Sequence, residues 1–131
     1  MMLKQFKDYL KSLDVANNYY IGKIDNSKEE TIGVYSMPNI ARVEAFGKDS
    51  TYDMAGVQIL VHWNRNANET EIAARNLYDK IKYINEVEMT DVYVYFIQMD
   101  SGEPNFIGTD DNGIYEYHIS AVIFYRKEET T

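Results

Sequence analysis

The chain has 131 residues, 45% of them apolar and 26% charged, which is the make-up of one globular domain with its own core, spanning 1–131. Cysteine is absent, which excludes disulfides, thiolate metal sites and cysteine nucleophiles and fits a cytoplasmic origin. The net charge of −8, without a dense Lys/Arg cluster, argues against tight binding to duplex nucleic acid, and no apolar run reaches the roughly 18 residues of a membrane span.

In chain order, Leu3, Phe6, Leu10 and Leu13 step by three and four and predict an amphipathic helix rather than a secretory signal. Lys4, Lys7 and Lys11 interleave with Asp8 and are the nearest approach to a basic patch. Asn17-Asn18 is a stop, and the aromatic or β-branched runs 18–24 and 31–37, separated by polar "DNSKEE", suggest a hairpin. Residues 38–52 read as a connection holding at most a short element. The run 52–63 alternates cleanly: Ala55, Val57, Ile59, Val61 and Trp63 take one strand face, and Met54, Gly56, Gln58, Leu60 and His62 the other. The period then switches to that of a helix, with Asn68 and Glu71 close to a capping box, Ala73, Leu77, Ile81 and Ile84 along one face, and Glu71 paired with Arg75. Residues 91–99 form a strand apolar or aromatic on both faces, 100–113 are turn-rich, and 114–127 form a long last strand. The fold class is therefore α+β: a single mixed, mostly antiparallel sheet of about four to six strands packed against two main helices.

The stretch "GTDDNGIYEYHI" (108–119) concentrates metal-type donors, yet it fails as a calcium loop, because counting from Asp110 puts Tyr115 where such a loop needs glycine. Asn112-Gly113 is instead a favoured type I′ pair between strands, with Phe106 and Ile107 supplying the partner strand. His118 lies mid-strand, away from the turn, so a structural or interfacial histidine outweighs a metal ligand.

No nucleophile elbow, phosphate loop, dinucleotide fingerprint or zinc-protease motif is present, and no catalytic residue, cofactor or metal is expected. Paired strands can bring His62 and His118 together beside Glu116, which keeps a small enzyme or metal-binding domain using these histidines and nearby carboxylates as one alternative. A generic bacterial protein-binding module is another. The face formed by Gln58, Leu60, His62, Glu116, His118 and Val122 is too apolar for open water and too polar for a core, as subunit contacts often are. The 12 tyrosines, a residue favoured at interfaces, point the same way.

"EPNFIGTDDNGIYEYHISAVIFYRK", preceded by a strand–helix–strand unit whose helix opens just after "VHWNRN", resembles the minor capsid or tail terminator (tail completion) proteins of long-tailed phages and of prophages of Gram-positive bacteria. The resemblance rests on the order Pro104, Phe106-Ile107, Gly108, Asp110-Asp111, Gly113 and Phe124-Tyr125-Arg126; His118, Ser120 and Trp63-Asn64 depart from it. It implies a homo-oligomeric ring, commonly of six subunits, that caps the tail tube and offers a docking face to the head–tail connector. It also implies a virion protein made in the host cytoplasm, with no membrane partner and with genome DNA passing through an acidic lumen without specific binding. The candidate interface set is then Gln58, Leu60, His62, Arg65, Pro104, Phe106, Asp110, Asp111, Glu116, His118 and Val122. The segments 38–52 and 100–111 are candidate contact arms, while Arg65 and Arg75 are better suited to ion pairs inside one subunit.

Overall fold

The computed structural model describes residues 1–37 and 52–126, so the candidate arm at 38–52 lies, but for Tyr52, outside the described residues. Helix α1 (Leu3–Ser12) follows its apolar stripe: Phe6 and Leu10 are fully buried, each contributing about 1.5–3 kcal/mol. At its start the Gln5 side-chain oxygen accepts from the Met2 N–H at 2.8 Å. Helix α2 (Ala67–Lys82) is capped by Asn66, whose side-chain oxygen accepts from Glu69 N–H at 2.9 Å, two residues before the expected Asn68–Glu71 pair. Its buried stripe is Thr70, Ala74, Leu77, Tyr78 and Ile81, so Ala74 and not Ala73 faces the core. The Glu71–Arg75 pair forms at 2.9 Å.

The strands are β1 (Asn18–Ile21), β2 (Thr31–Ser36), β3 (Tyr52–His62), β4 (Asn85–Met89), β5 (Val92–Met99), β6 (Asn105–Thr109) and β7 (Tyr115–Arg126). They form one mixed, mostly antiparallel sheet in the order β1-β2-β3-β7-β5-β4, with β6 also pairing β7. Helix α1 packs on β1, β2 and β4, and α2 on β3, β5 and β7. Between helices and sheet lie Ile32, Val34, Val57, Ile59, Val61, Val94, Ile97, Ile119, Ala121 and Ile123, all buried.

Three local features differ from the sequence expectation. The first two strands do not form a hairpin; they pair in parallel, Asn18 opposite Thr31 and Ile21 opposite Val34. The reason lies in residues 22–30. Gly22 turns the chain at φ +78, and the loop returns until Glu30 O accepts from Asn17 and Asn18 N–H, so β2 starts where β1 starts. An added strand, β4, pairs antiparallel with β5 across a turn at Thr90-Asp91, both at positive φ. Finally, the β6–β7 connection is a hairpin but not of the two-residue type. Gly113 N–H bonds Asp110 O, Asp110 N–H bonds Ile114 O, and Gly113 alone in the loop has positive φ (+79), as in a three-residue loop ending on a glycine bulge. Asp110 favours it by accepting from Asn112 and Ile114 N–H, both at 2.9 Å.

Candidate interface face

The antiparallel register of β3 and β7 puts Gln58 opposite Ser120, Leu60 opposite His118, and His62 opposite Glu116. Residues directly opposite share a face, so Gln58, Leu60, His62, Glu116, His118 and Val122 do assemble on one side, away from the helices. Thr31, Gly33 and Tyr35 extend this face through β2, while Phe96 and Gln98 extend it through β5. At its β5 end the rings of Phe96 and Phe124 stack at 4.4 Å, and Tyr52 leans on Phe124 at 5.8 Å. Phe96 is 45% exposed. Sequence reading missed Phe96 because a bulge between Val94 and Phe96 breaks the alternation that would have assigned it.

The other end of the face is covered. The loop 22–30 crosses it, with Ile24 buried over Gly33; a Cβ at Gly33 would sit 2.6 Å from Ile24 Cγ2. His62 has no exposed surface. Its Nδ1 lies 2.8 Å from Glu116 Oε2 and 3.8 Å from Asp110 Oδ2, and its Nε2 lies 3.2 Å from Asn26 O. Both ring nitrogens face oxygens, so a ring protonated on both donates to each. His62 therefore ties the loop, the β6–β7 turn and β7 together, and a partner cannot touch it. Burial, and then the Glu116 charge, raise the pKa of the Tyr35 hydroxyl. Nothing in the residue pattern announced the covering loop, because its path depends on the parallel pairing of β1 and β2.

His118 is half-buried and meets neither His62 nor Glu116 in a hydrogen bond; desolvation alone lowers its pKa. Among the described residues no group of three or more His, Asp or Glu is placed to hold a metal ion. Of the His62–Glu116 pair, the imidazole is fully buried, while the Glu116 side chain stays 18% exposed.

The remaining candidates sit around the β6–β7 hairpin. Pro104 is buried, whereas Phe106 is 58% exposed, its ring meeting Tyr117 edge-on at 5.4 Å. The Asp110 carboxylate is taken up by the turn, and Asp111 is exposed. Arg65 donates to Asn112 O at 3.0 Å and lies 3.4 Å from Glu29; Arg75 pairs with Glu71 and, at 3.4 Å, with Glu103. Both arginines thus serve ion pairs within the chain. No helix among the described residues is long and apolar enough to cross a membrane.

Fold and face together define a small α+β protein whose outer sheet face is aromatic and exposed at its Phe96–Phe124 end, mixed in the middle, and covered over a buried histidine at the other end. A family model described as bacteriophage tail terminator protein matches residues 2–126, and the chain belongs to that family. It is accordingly a structural component of virion assembly that works with other parts of the phage tail. Comparison with curated proteins gave no match.

Proposed function

We propose that this chain acts as one domain that closes into a ring, six subunits being the expected number, on the end of the tail tube. The ring stops tube growth and offers its far side to the head–tail connector. It carries out no catalysis and assembles in the host cytoplasm before entering the virion. The observation that carries this reading is the family match over residues 2–126. The sheet face running from Phe96 and Phe124 through Val122, His118, Leu60 and Gln58 supports it, as does the arm with Pro104, Phe106 and Asp111. A closed ring needs two different, mutually complementary patches on each subunit. The net charge of −8 suits a channel that lets DNA pass without adhering.

Light scattering and negative-stain microscopy of the purified protein, alone and with tube protein, test the reading. The expected result is a ring-sized species, free or at tube ends, with tubes of limited length. A strict monomer that leaves tube polymerisation unchanged overturns it.

A further inference from the structure

Asn112 is the only asparagine of the chain that is followed by glycine. Both residues are exposed in the β6–β7 turn, and no atom beyond the chain neighbours lies within 4 Å of where a Gly113 Cβ would be. That pairing matters chemically. An asparagine side chain holds its amide carbon within reach of the next residue's backbone nitrogen, and closure between them gives a five-membered imide. A side chain on the following residue crowds that nitrogen, whereas glycine leaves it open. The asparagines Asn17, Asn18, Asn64 and Asn66 are each followed by a residue with a side chain, and their own side chains are held in hydrogen bonds. The Asn112 side-chain amide has no partner among the described residues.

The backbone around it, by contrast, is tied down. Gly113 N–H donates to Asp110 O at 3.0 Å. On either side of that bond, the N–H groups of Asn112 and Ile114 both donate to Asp110 Oδ1 at 2.9 Å. Asn112 O accepts from Arg65 Nε at 3.0 Å. The Gly113 nitrogen must leave Asp110 O and lose its proton before it can attack, so the reaction waits on local opening of the turn.

We propose that Asn112 is a site of spontaneous deamidation and backbone isomerisation, and that the hairpin turn sets its pace by holding the Gly113 nitrogen. In the first step that nitrogen, having given up its proton, bonds to Asn112 Cγ. The Cγ–Nδ2 bond breaks, and the amino group leaves as ammonia, taking a proton back from solvent. Water then opens the imide. Cleavage of the new Cγ–N bond gives aspartate; cleavage of the original backbone C–N bond gives isoaspartate, whose main chain runs through Cβ and Cγ. Either product sets a third carboxylate beside Asp110 and Asp111. Isoaspartate also adds a main-chain carbon to the loop, which shifts Gly113 N–H away from Asp110 O. Since Asp110 Oδ2 lies 3.8 Å from His62 Nδ1, a loosened turn reaches the buried clasp.

Peptide mapping by mass spectrometry tests this on the full chain, held in mildly alkaline buffer with and without urea; heavy-oxygen water marks the hydrolysed position. In the folded protein Asn112 is expected to convert before any other asparagine, and several-fold more slowly than in urea. Asp110→Ala, which releases the flanking N–H groups, is expected to bring the folded rate toward the unfolded one. Amide exchange at Ile59, in the core, checks that this variant opens only locally. If Ile59 loses protection too, Arg65→Gln, which releases Asn112 O, supplies the comparison. Conversion of another asparagine first, or no conversion at Asn112, refutes the site. Equal rates with and without urea, or a folded rate that the variant does not raise, refute the restraint by the turn.

Discussion

Replacing Gly33 with alanine probes the covering loop directly. The new methyl would lie 2.6 Å from Ile24 Cγ2 and 3.0 Å from Tyr35 Cε2, both too close to keep. Ile24 is branched at Cβ and buried, so it has little rotamer freedom with which to yield. Overpacking of this kind costs about 1–3 kcal/mol, or a fall in Tm of about 4–12 °C for a domain near this size. Ile24→Ala alone leaves a cavity and costs about 2–5 kcal/mol. It also removes the very atom that the Gly33→Ala methyl strikes, so the double variant is expected to lose about 0.5–3 kcal/mol less than the two single losses together. Urea unfolding at equilibrium for the four proteins gives this coupling. A Gly33→Ala protein as stable as the wild type, or losses that simply add, would refute the packing of Ile24 over β2.

Two further outcomes are expected. Because desolvation lowers the pKa of His118, the unfolded chain binds that proton more readily; stability is therefore retained above about pH 6.5, the ordinary imidazole value, and declines as pH falls below it. Urea midpoints at several pH values between 5 and 8 should show a steeper acid decline for wild type than for His118→Gln. At the β6–β7 turn, Gly113 holds φ +79 with open space around its Cα, so alanine there costs backbone strain alone, about 1–2 kcal/mol. Asparagine, which tolerates this conformation, should cost less, and thermal melts of the two variants give the order.

The parts of the fold written in short-range pattern were legible. Alternation along 52–63 and 114–127 gave β3, β7 and the composition of their shared outer face, because antiparallel pairing keeps like-facing residues together. The Leu77–Ile81 spacing gave α2, and Asn112-Gly113 gave the hairpin, though not its turn type. Features that depend on distant partners were not legible. The two short strands β1 and β2 fit either direction of pairing by composition, and the direction was decided by Ile24 finding Gly33 and by Glu30 returning to Asn17. Strand β4 hides in "NEVEM", whose glutamates look like a solvated linker until Val87 and Met89 meet β5. The burial of His62 follows from that same loop path, so residue type suggested a contact residue where the fold has a clasp.

Strand β7 is the shared partner of β3, β5 and β6, and among the described residues it is the last strand in chain order. During synthesis, the middle of the sheet therefore has no template until residues 115–126 leave the ribosome. Earlier segments can form the helices, the β1-β2-β3 half and the small β4–β5 ribbon, but the two halves are joined only through β7. A chain ending before Tyr115 lacks the strand that joins β3 to β5 and holds β6. The order of strands thus makes closure of the sheet the last event that the chain's own synthesis permits.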